Sequence, residues 1–386
     1  MNRKMDQSCI AAGGHSVLRY QKMQEEKRRR LIPGETGPER GEVEGSGLSD
    51  SVSDIMISHP EPKTLDKAIA LAIKMYRRGI VKSNVTTIFL LGFHTPKLTL
   101  LLFTLVLVIY CVTLCGNLLI ILLVSFSMIL HSPMYFFLTQ LSIADIILTT
   151  AVSPNMLHVL LHEWGSLSLS GCISQLYFSG MSITSECFLL TVMSYDRYLA
   201  VCSPLHYTST MNHALCVKFI LACWLISCCF LFTLTFGISQ LQFCGPDTID
   251  HFLCDFNPFL ELSCSDVSIV QMESTLLGIP VLVLPFLMII LSYMYIVSNI
   301  LKISSFAGRL KSFSTCSSHL TVVSIFYGTL TGSYMLPNKV QSQMASKIMA
   351  MFYTMFSPLI NPFIYSLRNR DIKQAFKALY KKMTYY

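Results

Sequence analysis

Seven apolar segments, each close to the ~20 residues a helix needs to cross a bilayer, fill most of the chain beyond residue 97. They fall at about 98–124, 133–160, 172–200, 216–238, 272–301, 313–335 and 345–367. Hydrocarbon offers no partner to a backbone N–H or C=O, so each segment must close its own hydrogen bonds. With no aqueous domain between them, the expected fold is an all-α membrane protein, a seven-transmembrane helix bundle spanning residues 81–367. Composition agrees: 52% of the 386 residues are hydrophobic and only 13% are charged, too apolar for an ordinary soluble domain.

Charge is unevenly spread. Residues 1–80 hold 14 of the 29 Lys and Arg and 11 of the 22 Asp and Glu. Lys27-Arg28-Arg29-Arg30 and the Gly/Glu/Ser-rich stretch 34–53 have little to bury, so residues 1–80 read as a disordered N-terminal extension of the kind a gene-model artefact produces. The formal +7 is therefore no argument for nucleic-acid binding. No cleavable signal peptide is visible, and the first span serves as the targeting signal.

Loops after the first, third, fifth and seventh segments carry Arg197, Lys218, Lys302, Arg309, Lys311, Arg368 and Lys373, whereas the opposite loops carry Glu163, Asp247, Asp250, Asp255 and Glu261. The positive-inside rule places the C-terminus in the cytoplasm and Asn84 outside. Asn84-Val85-Thr86 is the chain's glycosylation sequon, on the expected outer side. In the cytoplasmic tail, residues 368–386, Ile372, Phe376 and Leu379 recur at helical spacing among Lys373, Lys377, Lys381 and Lys382. An ordinary basic tail is the plainer reading; a short amphipathic helix on an anionic inner leaflet fits the spacing better.

Polar groups inside the spans carry most of the functional information. Asp145 lies mid-span in the second segment and Glu186 in the third. Intramembrane acids mark either an ion pathway, as in a transporter or channel, or a polar cluster that lets helices repack. One acid on each of two helices, without internal repeats, favours the cluster, with Asn117 and Asn361 as neighbours. Prolines 154, 280, 285, 358 and 362 each remove a backbone donor. In Pro358-Leu359-Ile360-Asn361-Pro362 the asparagine is placed to bond carbonyls that the prolines free. A static kink is the plain alternative. Asp196-Arg197 closes the third segment, where adjacent full charges are costly unless partnered or wet. Beside them a moving hinge gains weight.

Fourteen cysteines show no CxxC pair and no Cys/His cluster at zinc spacing, so neither a metal nor another cofactor is expected. Cys172 opens the third segment, and Cys244, Cys254 and Cys264 share the long outer loop. The outside is oxidising, but four cysteines allow three pairings and spacing does not choose among them.

Five motifs occur in order: Leu130-His131-Ser132-Pro133-Met134-Tyr135-Phe136-Phe137-Leu138; Met193 to Cys202, containing Asp196-Arg197-Tyr198; Ser292-Tyr293; Lys311 to Leu320; and Asn361 to Asn369. Together they resemble the vertebrate olfactory (odorant) receptors of class II, rhodopsin-like G-protein-coupled receptors, over about residues 84–382. The resemblance implies an inner switch in which Asp196 restrains Arg197 beside Tyr198. It further implies that Tyr293 turns inward beside a hinge of Asn361, Pro362 and Tyr365. It implies Cys172–Cys254 and Cys244–Cys264 disulfides, a plasma-membrane location, and a heterotrimeric G protein of the olfactory stimulatory type acting through cyclic AMP. Ser194 and Ser132 depart from the family's usual alanine and threonine. Family members have short outer tails, so the functional receptor is expected to begin near Met75.

A small-molecule odorant needs a mostly apolar cavity with one or two hydrogen-bonding groups. Ser179, Ile183 and Thr184 share a face of the third span. Gly278, Val281 and Leu282 in the fifth, and Tyr327, Leu330 and Tyr334 in the sixth, lie at comparable depth. For each of these the plain alternative is helix packing. Without a charged anchor at that depth, neutral odorants are expected. A chemosensory role outside the nose is the nearest alternative, and a transporter or channel using Asp145 and Glu186 the distant one. No nucleophile elbow or phosphate-binding glycine loop suggests an enzyme.

Overall fold

The computed structural model of the protein describes residues 85–93, 98–244, 247–334, 343–368 and 370–384. The expected extension 1–80 and the Asn84 sequon lie outside the described residues. Seven long helices follow one another: α1 (Thr99–Phe126), α2 (Pro133–His162), α3 (Leu169–Cys202), α4 (His213–Ser239), α5 (Ser268–Lys302), α6 (Phe306–Tyr334) and α7, built from Gln343–Met351, a π-helical turn Phe352–Phe356 and Ser357–Arg368. α8 (Arg370–Thr384) closes the chain. Among the described residues six helices are long and apolar enough to cross a membrane. The remaining one, α6, matches them in length, but His319 and its serines and threonines make it more polar, because it lines the bundle interior.

Local chemistry sets the helix starts. Pro133 occupies the first turn of α2, where its missing N–H costs nothing. Ser168 Oγ caps α3 by accepting from Gly171 N, and Asn212 Oδ1 caps α4 by accepting from Leu215 N, satisfying otherwise free donors. α6 begins several residues before the expected 313, extending the helix into the polar inner segment.

A small sheet that no local pattern announces sits at the end of the bundle expected to face outward, called the outer end, opposite the inner end that carries Asp196-Arg197. β1 (Thr87–Leu91), β2 (Trp164–Ser168) and β3 (Thr248–Ile249) form a sheet in the order β2-β1-β3. β1 runs antiparallel to β2, with Thr87 opposite Ser168 and Leu91 opposite Trp164, and parallel to β3. Ile88, Phe89 and Leu90 are all buried, so both faces of the pleated strand are covered.

At the inner end Leu130, Phe137, Leu190, Met193, Tyr293, Ile296, Val322 and Tyr365 pack in one core, which Ile372 and Ala375 of α8 join. The buried stripe of α8 therefore runs through Ile372, Ala375 and the half-buried Leu379. Phe376, expected on that stripe, is 47% exposed. Lys373, Lys377 and Lys381 are exposed as expected.

Candidate functional site

The inner end of α3 buries Asp196, and Arg197 folds back onto it. Arg197 Nε donates to Asp196 Oδ2 at 3.0 Å, and Nη2 contacts the same oxygen. The other carboxylate oxygen accepts from Tyr207 Oη at 2.8 Å, a residue of the one-turn helix Tyr207–Thr210. Burial and the neighbouring carboxylate of Asp196 hold the Tyr207 phenol well above its usual range, so it stays a donor. Tyr198, next in the chain, packs edge-on against Tyr295 of α5. Nearby, His319 of α6 joins α3 to α5. Its Nε2 lies 3.1 Å from the Leu190 carbonyl and its Nδ1 2.7 Å from Tyr293 Oη. A carbonyl only accepts, so Nε2 carries the proton and Nδ1 accepts from Tyr293. Sequence reasoning quoted His319 in a motif but gave it no role; a histidine within an apolar span was the available signal.

The mid-span acids fall in one buried cluster. Asn361 Nδ2 lies 3.1 Å from both carboxylate oxygens of Asp145, and Glu186 is close enough to interact with Asp145. Asn361 was expected to bond carbonyls freed by the prolines. Instead that partner comes from α1: Asn117 Nδ2 donates to the Pro358 carbonyl at 3.2 Å. Pro362 has no N–H to offer the residue four positions back, so Asn117 supplies the missing donor. Gly116 brings α1 close enough, since a Cβ there would sit 3.1 Å from Pro362 Cγ. Among the described residues Asn117 Oδ1, Glu186 Oε1 and the buried Tyr365 hydroxyl find no hydrogen-bond partner. Tyr365 packs in the inner core with Tyr293.

The outer half holds a cavity of about 670 Å³. Ser179, Ile183, Thr184, Gly278, Val281, Leu282 and Leu330 line it. Tyr327 is buried against Phe286 and Phe326, apart from that lining. Tyr334 lies at the end of α6, and its side chain lies outside the described residues. The cavity lining is mostly apolar, with Ser179, Thr184, Thr235, Ser274, Thr275 and Thr354 among its polar residues; the Ser179 and Thr235 hydroxyls donate to the Gln175 and Leu231 carbonyls of their own helices. Asp255, an acid the sequence reading did not place here, lines the outer side, where its Oδ1 accepts from Phe256 N at 2.8 Å. Among the described residues no group of three or more His, Cys, Asp or Glu is arranged to hold a metal.

The outer loop covers this cavity. Disulfides join Cys172 to Cys254 and Cys244 to Cys264, with Cα–Cα separations of 5.5 and 5.7 Å. Gln175, missed by sequence reasoning, pins the loop further. Its Oε1 accepts from Cys254 N and its Nε2 donates to the Ala151 carbonyl, both at 2.9 Å. Also missed was Lys347 near the outer end of α7, which donates to Asp250 Oδ1 at 2.5 Å and to the Gly92 carbonyl at 3.0 Å. Beside it, burial, and secondarily the Lys347 charge, pushes the His251 imidazole down to about 4, with Asp250 opposing. These partners lie far apart in sequence, and no local pattern announces them.

Comparison with known proteins completes the description. The olfactory receptor family model matches residues 106–382. Olfactory receptor 1J2 of Homo sapiens is 42% identical over 306 residues, covering 79% of this chain and 98% of the relative. Olfactory receptor 1468 of Rattus norvegicus is 44% identical over 274 residues, 71% of this chain and 87% of the relative. Squid rhodopsin shares the fold, with TM-score 0.61 and 18% identity over 74% of this chain and 86% of that one. Membrane-length helices and a family match across most of the length agree: the chain is a multi-pass membrane protein that belongs to the olfactory receptor family, a family of receptors rather than enzymes.

Proposed function

We propose that this protein binds small, neutral, volatile molecules in the cavity between α3, α4, α5 and α6 and signals through a stimulatory G protein of the olfactory type, raising cyclic AMP. The single observation carrying this reading is the covered, mostly apolar cavity with hydroxyls from Ser179 and Thr184 on its wall, the composition that suits an odorant. Below it, the Asp145–Asn361 pair and the Asn117 bond to Pro358 tie three helices through bonds that can be remade, since buried polar atoms there still lack partners. At the inner face, Asp196 holds Arg197 against the bundle, and its release would present a cation to the G protein. The receptor resides in the plasma membrane with its N-terminus outside and Asn84 glycosylated.

The test is a cell line expressing the receptor, challenged with a panel of neutral volatile alcohols, ketones and esters, with cyclic AMP as readout. A responding compound should lose its effect with Arg197→Ala. Its potency should fall at least tenfold with Thr184→Leu, which fills the cavity wall. A full response retained by Arg197→Ala would sink the reading.

A further inference from the structure

The walls of the cavity are not equally tight. On the α3–α4 side the helices touch, and a Cβ on Gly180 would fall 2.6 Å from Leu231 Cδ1. α4 and α5 also meet at their outer ends, where a Cβ on Gly237 would lie 3.2 Å from Glu273 Oε2 and 3.5 Å from Val270 Cγ2. At the inner end α5 is tied to α3 instead, through Asn299 Nδ2 to Cys202 Sγ at 3.3 Å and the Tyr198–Tyr295 ring contact. Between these two fastenings α5 packs on its neighbours through Phe286, Ile289 and Tyr293, but one turn further out its wall is loose. A Cβ on Gly278 would meet nothing within 4 Å.

Three residues mark where the cavity opens. Gln271, Thr275 and Ile279 line it and are exposed residues, Ile279 at 53%. Spaced i, i+4 and i+8, they form one stripe down α5, reaching about 12 Å into the outer leaflet at the helical rise. Thr275 Oγ1 donates to the Gln271 carbonyl at 2.9 Å, so its polarity is spent within the helix. The outer side, by contrast, is covered by Leu253 and Cys254, both buried lining residues held by the disulfide to Cys172 and the bond to Gln175.

We infer that ligands of this cavity enter sideways from the outer leaflet, through a slit between α4 and α5 bordered by Thr275 and Ile279. The inference rests on the reading of the cavity as the ligand site. It fits neutral volatile compounds, which partition into the bilayer and are concentrated there at the mouth of the slit.

A test independent of any agonist uses the full chain in phosphatidylcholine nanodiscs carrying Ser179→Cys, near-isosteric and on the cavity wall. Two thiol reagents are compared by peptide mass spectrometry: decyl methanethiosulfonate, which resides in the bilayer, and sulfonatoethyl methanethiosulfonate, which stays in water. Rates are normalised to each reagent's own reaction with a small free thiol in solution. The decyl reagent should modify position 179 at least tenfold faster than the sulfonatoethyl reagent. Ile279→Trp, and separately Thr275→Trp, should slow the decyl reaction about tenfold by filling the slit, while Leu284→Trp, exposed on the same helix but outside the cavity lining, should not. Equal labelling from water, or decyl labelling indifferent to both slit substitutions, overturns the proposal. A slit behaving as stated in a receptor without any odorant response would overturn only the ligand-binding reading.

Discussion

Single side chains hold the outer cover and the inner latch, and His251 is the one whose protonation has the clearest consequence. Its folded pKa of about 4 lies below the 6.5 of a free imidazole, so the unfolded cover binds more protons between those values. The stabilisation is complete above about pH 6.5 and is lost as pH falls toward 4, up to about 3 kcal/mol. The protection factors of residues 248–254, taken against the intrinsic exchange rate at each pH, should therefore fall on acidification across that window, and His251→Phe should flatten the dependence. Protection factors unchanged from pH 7 to 4 in the native protein would show that the ring is not buried neutral. The other buried charge partners were only partly legible. Asp196-Arg197 stood out because adjacent charges end an apolar run, whereas no local pattern marks Lys347, which only its pairing with Asp250, 97 positions away, places.

Elements were legible wherever the period of hydrophobicity or a cap speaks locally. The spans agree with their expected positions to within a few residues, α6 excepted, because twenty apolar residues in lipid leave no other conformation. The β-sheet was not legible: β3 is two residues long and β1 five, and such runs resemble any apolar stretch until partners are known. The proline-rich part of α7 shows both situations. Its kink was readable from Pro358 and Pro362, but the donor that satisfies it is on α1. Asn117→Ala should leave the buried Pro358 carbonyl unpaired and cost about 1–3 kcal/mol, whereas Asn117→Asp, which offers no N–H when ionised, should not rescue it. Thermal unfolding of the detergent-solubilised receptor measures both; an alanine variant as stable as the parent would show that the bond contributes nothing.

For the whole molecule, the outer cover is a long loop held by two covalent links and a short sheet. The Cys172–Cys254 bridge closes a separation of 82 residues, so Cys172→Ser with Cys254→Ser should lower stability by about 2–4 kcal/mol. The loss should appear as a lower melting temperature and as faster exchange in residues 248–254, while exchange in the inner core around Met193 and Ile296 stays near its original rate. Uniform acceleration throughout the bundle would mean that cover and core unfold as one unit. The sequence by itself determined the membrane architecture, the family and the positions of its motifs, because lipid enforces helices and local motifs keep their spacing. Only the tertiary structure decided which polar groups meet, where the cavity lies and where its wall opens. Those depend on side chains tens to hundreds of positions apart, and their distances are set by helix packing rather than by any period along the chain.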